Sequence, residues 1–437
     1  LAFGIVFTLF AVIGCNRNTD APSDSTDDVR SEVSDLSASG QSLGVGEQWN
    51  QYRGSQGDGK TPVPLPVELG DSKNVRWKTP IHDEGYSSPV IWGNQVWVTT
   101  ATKNGKELFA IAIDLKSGEI IHDIKVFDVA KPQRSVGTNS YASPTPAVEQ
   151  GRVYVHFGYA GTACLDAKSG KKIWERTDFF CDHETLPASS PIIDGNSLFI
   201  AFDGIDLQYF VALNKHTGET VWKRDRGIVY EEPGFWDNKA FGTAKIIEHE
   251  GRKQLISPTS KAVISYDPKT GDEYWRIKHN SGENNGCLPL YAHGLVYVCG
   301  GAGDTGVAAI NPSGNGDVTD THIAWSTGKD APFYSSVVIS DDLLFMVSDG
   351  GIASCLDAKT GNVHWRERIG GNYWASPFVA GGKVYFSSKQ GKVTVIEASR
   401  EFKQLAQHRF ESGFTASPAA AGNALILRTE KYLYCID

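Results

Sequence analysis

The sequence holds seven cysteines and eleven histidines but no Cys-x-x-Cys pair and no Cys/His cluster at metal-ligand spacing, so the usual zinc-type sites are excluded. It has no basic excess. Its 42 Lys and Arg stand against 51 Asp and Glu, a net charge of −9, and a nucleic-acid partner would demand the opposite sign. The charge-free stretch LAFGIVFTLFAVIG, residues 1–14, is shorter than the roughly 20 residues a transmembrane helix needs. GAGDTG at 301–306 leads into VAAIN, a strand pattern, where a dinucleotide site requires a helix N-terminus. GQSLG at 40–44 lies in a polar stretch, without the strand–turn–helix that exposes a nucleophilic serine. What remains is a chain with 40% hydrophobic and 21% charged residues, ample for a large core and too weakly charged for global disorder.

What the sequence does have is one phrase written many times. CLDAKSGKKIW (164–174) returns as CLDAKTGNVHW (355–365), and AIDLKSGEIIH (112–122), ALNKHTGETVW (212–222) and SYDPKTGDEYW (265–275) share its Asp or Asn, its Ser/Thr-Gly and usually its Trp. AAINPSGNGDVTDTHIAW (308–325) has the same ends around a longer turn, and TVIEASREFKQL (394–405) has lost the Gly and the Trp. Each copy follows a second pattern such as YSSPVIWGNQVWVTT (86–100), a strand, a tight Gly/Asn turn and an alternating strand. One unit is therefore four short strands. Seven steps carry Pro89 to Pro418, a mean of 47 residues, and four strands at that period mean a propeller.

The chain ends at LYCID (433–437), where every other unit continues to its Trp strand; the missing strand appears at the front as NVRWKTPI (74–81). The reading is an all-β, eight-bladed propeller over residues 75–437, its ring closed by an N-terminal strand that completes the last blade. The Asp and Gly of the phrase build the turn between third and fourth strands. The tryptophans, Trp77, Trp174, Trp222, Trp275, Trp325 and Trp365, are expected to dock between blades. Cys164, Cys355 and Cys435 share one slot of the repeat and should be far apart and unpaired. Cys287 and Cys299 flank one hairpin, whose two-residue turn would put them on opposite sides of the sheet.

The phrase A-x-D-x-x-T-G-x-x-x-W resembles the repeat of the PQQ-like propellers, a family that includes alcohol dehydrogenases holding pyrroloquinoline quinone and BamB-type lipoproteins of outer-membrane assembly. WNQYRGSQGDG (49–59) is similar to the W-x-Q-aromatic-R-G opening of bacterial PQQ-like repeat proteins. Residues 49–74 are expected to strap onto the propeller or to form a partner epitope. VIGC, ending at Cys15, resembles the lipobox of bacterial lipoproteins, which implies a signal segment over 1–15 and a lipid on Cys15. Asn16 after that cysteine implies, by the same resemblance, the periplasmic face of the outer membrane. Residues 16–48 then form an acidic flexible tether, with seven acids against Arg17 and Arg30.

The repeat belongs to the scaffold and does not specify an activity. Function is expected in the loops that enter the inner strands, 179–190, 230–245, 280–289, 328–336 and 370–377. Their candidates for a cofactor or partner are His183, Glu184, Trp236, Asp237, Asn238, Lys245, Glu283, Asn284 and Trp374, with Asp182, Glu231 and Glu232 as further ligand types. The resemblance to quinone dehydrogenases implies a stacking face, Ca²⁺ on oxygen ligands and a carboxylate base; the two adjacent cysteines of many alcohol-oxidising members are missing. On balance the reading favours a monomeric, lipid-anchored scaffold for an envelope protein partner, with no cofactor, over a quinoprotein oxidoreductase binding pyrroloquinoline quinone and Ca²⁺.

Overall fold

The computed structural model describes residues 48–134, 139–230, 238–279, 286–300 and 306–437. Its strands form eight sheets, each built on four antiparallel strands, and two of them carry a short fifth strand in parallel, Lys60–Thr61 and Gly316–Asp317. Blade 1 runs through Val90–Trp92, Gln95–Ala101, Glu107–Asp114 and Ile120–Asp128. Blades 2 to 8 start at Ala147, Ile192, Lys245, Leu290, Val338, Phe378 and Ala419. Blade 8 takes its fourth strand from the front of the chain: Val75–Pro80 pairs with Tyr432–Ile436, Trp77 facing Cys435. The architecture is the eight-bladed propeller that the repeat implied. Second and third strands are covered on both faces by neighbouring blades, so Val96, Trp97 and Val98 are all buried, which accounts for apolar runs such as VWV and VYV.

Six of the eight junctions use the repeat in the same way; blades 1 and 7 carry His122 and Leu405 in the Trp slot. Asp357 Oδ1 accepts the backbone N–H groups of Lys359 and Thr360 at 3.1 and 2.9 Å, closing the turn. The Trp of one blade then reaches the turn of the next. Trp77 Nε1 donates to Leu115 O at 2.8 Å, Trp174 to Lys215 O at 2.9 Å and Trp222 to Pro268 O at 3.1 Å. Trp275, Trp325 and Trp365 reach Pro312, Ala358 and Ser399 at 2.9–3.1 Å. The turn glycine lies under the indole. Gly218 has φ +77°, and a Cβ there would sit 2.8 Å from the Trp174 ring, so it needs Gly both for its backbone and for the approach.

A second tie runs nearer the axis. The residue two positions ahead of each first strand is Ser or Thr in seven blades, and its hydroxyl accepts the backbone N–H of the equivalent residue in the preceding blade. Thr145, Ser190, Thr243, Ser336, Ser376, Ser417 and Ser88 do so at 2.9–3.0 Å. Leu288 of blade 5 breaks the belt. Arg428 adds a tie between blades 8 and 1, donating to Ser87 O at 2.8 Å and Thr99 O at 2.9 Å; burial pushes its pKa down to about 9.

Residues 49–74 strap one end of the channel. Trp49 exchanges backbone hydrogen bonds with Ile91 of blade 1, and Asn50 O accepts Val148 N–H of blade 2 at 2.8 Å. Arg53 crosses to blade 6 and donates to Val337 O at 2.8 Å. Gln56 O accepts Lys245 Nζ of blade 4, and Lys60–Thr61 adds a parallel strand to Phe378–Ala380 of blade 7. The segment leaves along blade 7, where Tyr385 O–H donates to Leu65 O at 3.0 Å, and reaches blade 8, where Tyr434 O–H donates to Asp71 Oδ1 at 2.6 Å.

The cysteines divide as the repeat suggests, with one correction. Cys164, Cys355 and Cys435 are buried free thiols. The hairpin between Cys287 and Cys299 does turn in two residues, Ala292 facing Leu295. Cys287, however, lies three residues ahead of that strand, so strand alternation does not govern it. Its Sγ accepts Cys299 N–H at 3.1 Å. The two side chains share one buried space instead of opposite faces.

Candidate functional site

With the strap closing one end, the axis retains a blind cavity of about 260 Å³ at the other. Residues leading into the first strands form its wall, and Tyr52 of the strap forms part of its lining, held to Ser376 Oγ at 3.2 Å. Tyr86, Phe241, Tyr334 and Trp374 supply aromatic surface, and Ser88, Thr145, Ser190, Thr243 and Ser417 bring hydroxyls of the belt. Each of these hydroxyls already accepts a backbone N–H, so its own proton remains for a ligand. Glu184 and Lys239 are the charged side chains of the lining.

Glu184 sits on a strained turn. It has φ +48° and Leu186 φ +68°, conformations that L-residues adopt at a cost. Asn139 holds the turn, donating to Thr185 O at 3.0 Å and Pro187 O at 3.2 Å. Glu184 Oε2 is buried and has no partner, an arrangement that calls for explanation at a site. Behind the wall, Gln133 clamps the preceding residues, accepting His183 N–H at 3.0 Å and donating to Cys181 O at 2.9 Å.

Lys239 joins cavity and wall. Its Nζ lies 3.1 Å from His183 Nδ1 and 4.4 Å above the Phe241 ring. The ammonium donates, so Nδ1 accepts and the imidazole proton is assigned to Nε2, 3.4 Å from Cys181 Sγ. Burial holds His183 neutral, its pKa well below the ordinary histidine range, and Lys239 Nζ adds to the effect. Burial also pushes Lys239 down to about 8, against the pull of Cys181, Asp203, Asp182 and Glu184. The nearest buried acid is already paired: Asp203 takes both Arg226 Nε and Nη2, at 2.9 and 2.7 Å.

The five expected loops do meet at this cavity, through Glu184, Lys239, Gly286, Tyr334 and Trp374 among others. Individual candidates fare differently. His183 is buried behind the wall, and Asn238 is buried with its carbonyl accepting Ser260 Oγ at 2.9 Å. Lys245 faces the strap at the far end and not this funnel, because its strand carries it past the belt. Trp374 lines the cavity, with Lys389 Nζ 3.3 Å above its ring and Tyr334 at 4.5 Å. Cys15, Glu231, Glu232, Trp236, Asp237, Glu283 and Asn284 lie outside the described residues. Lys239, Asn139, Tyr86 and Tyr52 carry no spacing that would have marked them. Five of the seven belt residues stand in Ser-Pro or Thr-Pro pairs, which look like ordinary strand starts.

The PQQ-like family model described as outer membrane protein assembly factor BamB matches residues 66–201, 112–366 and 206–437. The chain belongs to that family. Quinoprotein ethanol dehydrogenase of Pseudomonas aeruginosa is 26% identical over 277 residues, 60% of this chain and 39% of that protein. Tetrathionate hydrolase of Acidithiobacillus ferrooxidans is 24% identical over 266 residues, 58% of this chain and 50% of that protein. The chain thus spans half or less of these curated relatives. Among solved structures, quinohemoprotein alcohol dehydrogenase of Comamonas testosteroni superposes with TM-score 0.64 at 12% identity, over 89% of this chain and 80% of that one. BamB of Moraxella catarrhalis gives 0.59 at 12%, over 83% and 99%. These likenesses share the propeller fold.

A quinone cofactor of this family is a planar, multiply anionic molecule, and the residues present suit its body. Aromatic faces, hydroxyl donors and Lys239 line one cavity. A metal is a different matter. Among the described residues no three His, Cys, Asp or Glu side chains stand close enough to hold one.

Proposed function

We propose that the axial cavity is the working site and that it holds a planar, anionic quinone-class cofactor, which makes this chain a quinoprotein-type propeller. One observation carries the reading: a blind cavity on the axis unites a buried amine, aromatic faces and unspent hydroxyl protons. Lys239 would meet a carboxylate or quinone oxygen, the belt hydroxyls would donate to further oxygens, and Phe241 would cover the ring. Such a cofactor supplies two-electron oxidising chemistry when bound. His183 fixes the direction of the Lys239 protons. No metal ligand is assigned. The sequence leaned toward a scaffold without cofactor; the cavity moves the balance. Titration with pyrroloquinoline quinone, followed by tryptophan fluorescence, should saturate at one equivalent. Lys239→Met should weaken binding about tenfold or more, the scale of a lost charge-assisted hydrogen bond, and Lys245→Met should leave it unchanged. Absence of saturable binding would sink this reading.

The family match supports a second reading, a BamB-like scaffold; to it the sequence adds a monomer anchored by lipid on Cys15 at the periplasmic face of the outer membrane and bound to a protein partner. Palmitate labelling that persists in Cys15→Ser would remove the anchor. Crosslinking in intact envelopes that yields no protein adduct would remove the partner.

A further inference from the structure

We propose that Lys239 is a covalent carbonyl-capturing amine: an aldehyde or keto group entering the axial cavity condenses on its Nζ, with His183 Nδ1 orienting that amine. The inference rests on the cavity being a ligand site, and not on the class of cofactor assigned to it.

Three observations converge. Lys239 lines the cavity and is only 2% exposed, so its amine is desolvated beside the space a ligand would fill. Among the described residues no carboxylate lies within ion-pair distance of its Nζ; Asp203 is committed to Arg226, and Asp182 accepts Glu184 N–H at 2.9 Å. The closest base is His183 Nδ1 at 3.1 Å, on a ring whose other nitrogen is engaged by Cys181 Sγ. The titratable groups facing the amine are Cys181, Asp182, His183, Asp203 and Glu184, and burial outweighs them all, bringing Lys239 to about 8. A desolvated amine near neutrality is a nucleophile.

The chemistry balances without an oxidant. The nitrogen lone pair adds to the carbonyl carbon and the C=O π electrons move to oxygen. A belt hydroxyl accepts the amine proton while giving its own to that oxygen, so no charge is left on the wall. The carbinolamine then loses water, the second amine hydrogen leaving with the oxygen, and a C=N bond replaces C=O. Thr243 and Ser190, on the belt beside Lys239, hold hydroxyl protons for the carbonyl oxygen.

The test uses the full chain with benzaldehyde, or with pyruvate, and sodium cyanoborohydride at about pH 7.5, read by peptide mapping. At that pH an ordinary lysine is neutral in roughly one molecule per thousand and an amine near 8 in roughly a quarter. Lys239 should therefore carry the reduced adduct about a hundredfold above exposed lysines such as Lys103. Labelling by benzaldehyde alone assigns simple aldehydes, and labelling by pyruvate assigns keto acids. Adduct on exposed lysines with Lys239 unmodified overturns the proposal. The wild-type map decides this even if Lys239→Arg fails to fold; if it folds, it should lose only that one adduct. Pre-bound pyrroloquinoline quinone separates the two readings. Quinone binding without any Lys239 adduct defeats this inference alone, whereas labelling that the quinone does not block supports it and defeats the cofactor reading.

Discussion

Trp222 gives its indole N–H to Pro268 O and lies against Gly271 of the next blade, where a Cβ would approach the ring to 2.7 Å. Truncating such a buried indole removes its transfer energy and leaves a cavity, so Trp222→Ala should cost about 3–5 kcal/mol, measured by denaturant unfolding. Trp365→Ala should cost a similar amount although blade 7 has no turn glycine, because Phe402 packs edge-on against it at 5.1 Å. Gly218→Ala should lose about 1–3 kcal/mol through strain and overpacking against Trp174. These contacts were legible from the repeat alone, since a motif that recurs with its period states its own geometry. Arg226 was not legible. Nothing in KRDRG (223–227) distinguishes it from Arg224, yet Arg226 is fully buried on Asp203 and Arg224 is half exposed on Asp272. Arg226→Met should cost about 3–5 kcal/mol by stranding the Asp203 charge, while Arg226→Met with Asp203→Leu should recover most of it.

At the scale of the element, the strap behaves as part of the core. Arg53 is buried with Nε and Nη1 unpartnered, while Nη2 spans to Val337 O. Its guanidinium lies near Cys287 and Cys299. Glycine at position 59 permits this fold, since a Cβ there would strike the Arg53 guanidinium at 2.4 Å. Arg53→Ala should therefore cost about 2–3 kcal/mol, the scale of a hydrogen bond to a charged group. The same change should open Cys287 and Cys299 to thiol reagents at least tenfold faster; equal labelling of variant and parent would show that the strap does not cover them. The sequence marked WNQYRG as a strap or an epitope but offered no means of choosing. Backbone pairing of the strap with Ile91, Val148 and Val379 is a relation among segments distant in the chain, and no local pattern records it.

For the whole molecule, closure sets the stability. Val75–Pro80 completes blade 8, and the hydroxyl belt continues from Ser417 to Ser88, so the ring has no free edge and should unfold in one transition. The buried cations tie that stability to pH. Lys239 falls from its usual 10.5 to about 8 in the folded state, so the unfolded chain binds more protons between those values. Its contribution is complete above about 10.5 and is lost as pH falls toward 8. Lys245 and Arg428 are shifted the same way, so the diagnostic is a difference: Lys239→Met should flatten the rise in stability between pH 8 and 10.5. An unchanged slope would show that Lys239 is hydrated. Taken alone, the sequence determined the number of blades, their four strands, the turn chemistry and the closing strand. Period and motif are local properties repeated along the chain, and a repeat has few ways to pack against itself. Only the tertiary structure decided that the strap blocks one mouth, that Lys239 enters the cavity while Lys245 faces away, and that His183 stands behind the wall. Those choices depend on which side of a strand each loop residue faces after the ring has closed, and on burial, which the order of residues does not carry.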